Sequence, residues 1–128
     1  MKLDGFQIVS ETANSLYSVS VLPNISVFFY KDSKQLAIKG SQPDSGKENC
    51  NLLIHQDVIT VTTLDQHSIP IHIRDIQKAV KLVNPDGSDM GAAIWMKSQI
   101  PLRGMTGIYM YTTVKQDLSS LYRTLRIT

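Results

Sequence analysis

A single cysteine, Cys50, in 128 residues excludes an internal disulfide and denies the chain the thiolate cluster of a structural zinc site. A reducing compartment follows, and the cytoplasm is the predicted location. Long apolar runs are also missing. Nothing approaches the roughly 18 consecutive apolar residues of a membrane helix, so no membrane partner is expected. The opening MKLDGFQIVSETANSLYSVSV has one early lysine followed by Asp4 and Glu11, without the unbroken apolar core of a signal peptide. The Asn24-Ile25-Ser26 triplet spells a glycosylation acceptor, but without secretion the match is accidental. No GxSxG elbow, Walker loop or GxGxxG turn occurs.

An excess of one charge is lacking too. Thirteen Lys and Arg against eleven Asp and Glu leave +2, short of the basic footprint of many nucleic-acid binders. The distribution is uneven, however. Met90 to Thr128 holds Lys97, Arg103, Lys115, Arg123 and Arg126 against one acid, Asp117, so the C-terminal third faces an acidic partner more readily than the rest.

What is present is an ordinary globular composition, 42% apolar and 19% charged, which argues against disorder of the whole chain. A chain of this length fits one domain that buries about two-thirds of its unfolded surface. We therefore predict a single globular domain over 1–128. Gly40 to Asn49, GSQPDSGKEN, reads as a flexible surface loop from Pro43, its two glycines and its turn-favouring polar residues.

Alternation of apolar and polar residues marks most of the chain as extended. Tyr17, Val19 and Val21 share one face, and Pro23-Asn24 reads as a tight turn. Ile25, Val27 and Phe29 then oppose Phe28 and Tyr30, while Leu36 and Ile38 continue the pattern after a turn at Lys31-Asp32-Ser33-Lys34. NLLIHQDVITVTTLD and SIPIHIR read as strands joined near Asp65-Gln66-His67, with Pro70 best suited to a sheet edge. GAAIWM and GIYMYTTV read as two more.

Two segments change period. Ile76, Ala79, Val80 and Val83 recur at intervals of three and four, with Asp75 placed to cap and Asn84-Pro85 to stop, which predicts a helix over 75–83. Leu118, Leu121, Tyr122 and Leu125 repeat the spacing, with Asp117 at the start and Arg123 and Arg126 near the end, which predicts a helix over 117–126. The expected fold is α+β: an antiparallel sheet of about seven to nine short strands, barrel-like as the alternative closure, with these two helices.

Catalytic and metal constellations are weak. His55, His67 and His72 lie near Asp57 and Asp65, but their spacing matches no zinc ligand pair. Cys50 and His55 are close in sequence, which is not closeness in a fold, and a lone cysteine is more often an inert small apolar group. Asp86 and Asp89 in NPDGSD place the glycine too early for a calcium loop and lack its distant Glu. We expect no metal, no cofactor, no small-molecule substrate and no enzymatic activity.

Arg103 to Tyr111, RGMTGIYMY, begins like an RNA-reading strand, and Tyr109 and Tyr111 share a face. Met105 and Gly107 fall where that motif needs rings. A plain strand with Ile108 and Met110 in the core is expected instead. Aromatic residues make up only 7% of the chain, so their placement carries weight. Strand Ile25 to Tyr30 presents bulk to both faces, and Trp95 with Met90, Met96, Met105 and Met110 adds adaptable apolar surface. The expected function is a non-enzymatic protein-binding or self-assembling module, with another protein or further copies as partner and Phe28, Tyr30, Trp95, Tyr109 and Tyr111 at the interface. The alternative is single-stranded nucleic-acid binding through Lys97, Arg103, Lys115, Arg123, Arg126 and Tyr122.

Overall fold

A strand needs a neighbour for its backbone groups, and a single sheet pairs all the strands among the described residues. The computed structural model describes residues 19–127. Its strands are β1 (Ser20–Tyr30), β2 (Ser45–His55), β3 (Val58–Thr62), β4 (Ser68–His72), β5 (Ile76–Val83), β6 (Asp89–Met96) and β7 (Gly107–Thr112), followed by helix α1 (Ser119–Leu125). Short 3-10 turns occupy Ser33–Ala37 and Ile73–Asp75. The strands form a seven-stranded antiparallel sheet in the order β4-β3-β2-β1-β7-β6-β5, curled into a half-barrel. Two meanders, β1 to β4 and β5 to β7, meet where β1 pairs with β7, and this is the sheet's sole pairing of strands that are not consecutive.

The concave face holds the core. Ile25, Val27 and Phe29 of β1 meet Cys50, Leu52 and Ile54 of β2, Ile94 of β6, and Ile108 and Met110 of β7. Helix α1 closes over them with Leu118, Leu121, Tyr122 and Leu125. Burying each such side chain contributes about 1.5–3 kcal/mol, which explains how a seven-residue helix too short to stand alone persists here. Asp117 Oδ1 accepts from Ser119 N–H at 2.9 Å, and Asp89 Oδ2 accepts from Leu118 N–H at 3.2 Å, so two acids receive the helix's first amides. At the other end Arg126 N–H donates to Arg123 O at 3.1 Å and Ile127 N–H to Tyr122 O at 3.0 Å. This is the Schellman pattern with arginine, at φ 60°, where glycine is usual.

The helix expected over 117–126 is therefore present as Ser119–Leu125. The one expected over 75–83 is not: Ile76–Val83 is strand β5, paired with β6 through contacts such as Val80↔Ala93 and Leu82↔Gly91. Asn84-Pro85, read as stopping that helix, instead belongs to a hairpin turn in which Asn84 N–H donates to Ser88 O at 2.9 Å and Gly87 N–H to Asn84 O at 2.8 Å. The fold is thus mostly antiparallel sheet with one helix, less balanced than the α+β expectation.

Smaller corrections follow the same logic. Pro23-Asn24 is no turn between strands but an irregularity inside β1, where the register with β2 shifts between Leu22 and Ile25 and Asn24 takes φ 59°. Leu36 lies in a 3-10 turn and not in a strand. The loop expected over 40–49 is shorter, because Ser45 to Asn49 open β2. Tyr17, assigned to the first strand, lies outside the described residues. Pro70 falls on the edge strand β4, as its missing N–H requires.

Candidate protein-binding surface

The convex face of the half-barrel carries the rings. Alternation along β1 sends Val27 and Phe29 inward and Ser26 and Phe28 outward, and the same rule turns Tyr109 and Tyr111 out from β7 and Trp95 out from β6. Register then brings them together. Phe28 lies opposite Tyr109, and Tyr111 opposite Ser26. Phe28 and Tyr111 are stacked diagonally at 6.0 Å between centroids and 21° between planes, and Tyr109 stands 5.6 Å from Tyr111, tilted 39°. Such pairs are worth about 0.5–1.5 kcal/mol beyond their area, so the cluster is ordered before any partner arrives.

The rings lie low because their neighbours are small. Gly46 sits beside Phe28, Gly91 beside Tyr111 and Ala93 beside Tyr109. Phe28, Tyr109, Tyr111 and Trp95 are all half-buried, leaving part of each ring open to solvent. Burial pushes the Tyr109 phenol above its ordinary range, with Tyr111 and Tyr30 adding to the effect. Lys78 Nζ lies 4.9 Å above the Trp95 ring, a cation–π contact that covers one side of the indole.

Tyr30, expected at the interface, is only 7% exposed. Segment 33–41 covers it. Thr106 fastens this segment: its Oγ1 accepts from Ser33 N–H at 3.0 Å and donates to Lys31 O at 2.8 Å, while Thr106 N–H reaches Tyr30 O at 3.0 Å. Between the segment and the sheet runs a groove of about 410 Å³, lined by Tyr30, Leu36, Ile38, Leu82, Ala93 and Tyr109 among others. Leu82 and Val80 of β5 share the outer face with the rings. Sequence periodicity does not reveal them, because it predicts a helix over 75–83. Met110 is in the core, as expected for a plain strand, and Met96 joins it there, so fewer methionines reach the surface than the apolar-surface reading expects.

The predicted cations gather only in part. Lys97 and Arg126 line one cleft of about 430 Å³, with His72, Arg74 and Asp57. Arg103 lines another, beside Phe29, Ile69 and Met105. Lys115 Nζ stands 3.7 Å from Asp86, and Arg123 is on the last turn of α1. Tyr122, proposed as a base-stacking ring, is a core residue. Its O–H donates to Gly91 O at 2.9 Å and lies 3.3 Å from Leu82 O. Burial, aided by the negative charge of Asp89, pushes its phenol up to about 12.

Among the described residues no three His, Cys, Asp or Glu side chains come together as a metal site. His67 Nδ1 lies 3.4 Å from Asp65 in the β3–β4 turn. Cys50 is fully buried, and that burial raises its thiol. His55, an odd number of residues away on the same strand, faces the other side of the sheet. No helix among the described residues is long and apolar enough to cross a membrane. Neither a protein-family model nor a curated protein matches the chain.

Proposed function

We propose that this chain is a non-enzymatic module that binds protein through the outer sheet face bearing Phe28, Tyr109, Tyr111 and Trp95. The observation that carries the proposal is the packed cluster of three half-open rings on a floor of Gly46, Gly91 and Ala93. Rings of this kind offer large contact area on only two rotatable bonds, and their prior packing lowers the ordering cost of association. Two phenol groups at the rim supply polar handles of the sort enriched at interfaces. Lys97 and Arg126 share one cleft, but Arg103 lines another and Lys115 is paired with Asp86, which favours a protein over a nucleic-acid strand that needs cations along one track.

The test replaces Phe28 and Tyr111 together by Ala in the full chain. Sedimentation, and capture of proteins by the immobilised chain, are compared with the parent. Association should weaken by at least about tenfold, in line with the loss of a central aromatic anchor, while the thermal midpoint moves little. Unchanged association in the folded variant refutes the proposal. Retention of single-stranded oligonucleotide at low salt, where the parent captures no protein, transfers the function to the nucleic-acid alternative.

A further inference from the structure

We infer that two copies of this chain join edge to edge through β5, antiparallel about a two-fold axis at Val80. The inference rests on the protein-binding reading and names a second copy as one partner, but it uses the strand edge instead of the ring cluster. A sheet of seven strands has two ends, β4 and β5, and a free edge is a template for another strand. β4 is closed to that use: it has five residues with Pro70 at its centre, which offers no N–H. β5 is eight residues long without proline. Among the described residues no other strand pairs along its outer side.

Edge strands are ordinarily protected by lysines that an incoming strand would have to desolvate. β5 contains two, and both are drawn away from the edge. Lys78 Nζ lies 4.9 Å over the Trp95 ring, and Trp95 is its partner across β6. Lys81 Nζ lies 4.8 Å over the Tyr122 ring and 3.9 Å from Asp89 Oδ1. Each ammonium is thus held over the sheet by a ring on an element inward of the edge. Val80 and Val83, by contrast, are 38% and 51% exposed.

Charge and shape select the register. Opposed residues in an antiparallel pair share a face, so a two-fold centre falls on a residue of β5 in its regular stretch from Lys78 to Leu82. Centring on Lys78 or Lys81 sets like charges against each other. Centring on Ala79 leaves the exposed Val83 without an opposite residue in the strand, whereas centring on Val80 leaves only Ile76, which already packs against the core. Centring on Val80 pairs Val80 with its symmetry mate, Lys78 with Leu82, Ala79 with Lys81 and Gln77 with Val83. No two lysines meet, every lysine has an apolar neighbour for its stem, and the sheet continues across the axis.

Sedimentation of the full chain at rising concentration should show a monomer–dimer equilibrium. Val80→Lys, which sets two new lysines against each other at the axis, should abolish the dimer. Val80→Cys should oxidise to a covalent dimer at least about tenfold faster than Val83→Cys, whose opposite residue is Gln77, because the axis holds the two thiols at high effective concentration. These cysteine variants decide the matter should Val80→Lys not fold. A parent chain monomeric at every concentration, or equal oxidation rates for the two cysteine variants, overturns the inference. A dimer lost in Phe28→Ala/Tyr111→Ala yet kept in Val80→Lys also overturns it, and leaves the ring face as the interface. A dimer lost only in Val80→Lys upholds the edge while removing self-association as support for the ring face.

Discussion

Gly91→Ala should be among the most damaging single-methyl changes in this protein. Gly91 lies in β6 between Leu82 of β5 and Tyr111 of β7. A Cβ added there would stand 1.9 Å from Met110 O, 2.7 Å from Tyr111 Cα and 2.8 Å from Met110 C. All three are backbone atoms of a strand held on its other side by β1, so no rotamer change relieves the contact. The strands must part by about an ångström, and the hydrogen bonds around Gly91 and Tyr111 lengthen with them. Overpacking of this kind costs about 1–3 kcal/mol, and each weakened backbone bond adds about 1 kcal/mol. The carbonyl of Gly91 also receives the Tyr122 hydroxyl at 2.9 Å, which ties the shift to the helix. A loss of about 4 kcal/mol is the expected total, a large part of the 5–15 kcal/mol typical of a domain. With a urea slope of about 2 kcal/mol/M, the unfolding midpoint falls by about 2 M. The comparison is Gly87→Ala, where φ is 86° and nothing lies within 4 Å; it carries only the left-handed strain of about 1 kcal/mol. Should Gly91→Ala lose no more stability than Gly87→Ala, backbone crowding between β6 and β7 is not what keeps a glycine there.

Tyr122→Phe removes the donor to Gly91 O and should cost about 1 kcal/mol in urea unfolding. The raised Tyr122 phenol, about 12 against an ordinary 10, means that the unfolded chain loses this proton first. Its stabilising share is complete below pH 10 and declines as pH rises towards 12, so in Tyr122→Phe the stability should fall less steeply across that window. Arg126→Gly relieves a left-handed arginine at φ 60° and should raise stability by about 1 kcal/mol; a drop in the thermal midpoint would show that the arginine side chain contributes more than its backbone costs.

Much of the sheet was legible because its central strands bury one face and leave the other half-open. Val27 and Phe29 against Phe28, or Ile108 and Met110 against Tyr109 and Tyr111, keep strict alternation, and the inward set of each pair is in the core. The ring surface was legible for the same reason, since residues two apart on one strand must share a face. What alternation does not contain is register. That Phe28 stacks on Tyr111, or that Gly46 and Gly91 lie flat beside the rings, follows from pairings between residues about eighty or about twenty positions apart. Tyr30 obeys the alternation yet is buried, because Thr106 fastens segment 33–41 over it by bonds that span more than seventy residues.

The misreading of 75–83 has a specific cause. In IQKAVKLV the two lysines fall on opposite faces, Lys78 outward and Lys81 inward, so each face mixes apolar and charged residues and a spacing of three and four appears by default. An edge strand tolerates this because a lysine can lay its stem along the sheet and set its charge over a ring, here Trp95 and Tyr122. Neither ring is adjacent in sequence, so nothing within the segment reveals that its lysines are accommodated. The helical alternative would leave β6 unpaired on the side where Ala92, Ala93 and Gly91 admit close approach by β5, and its backbone groups would go unsatisfied in a buried strand. Pairing demand from β6 outweighs a helical preference that spans barely two turns and cannot nucleate alone. The same reasoning implies that substitutions which strengthen helix propensity in β5 without touching its pairing will lower stability instead of converting the fold.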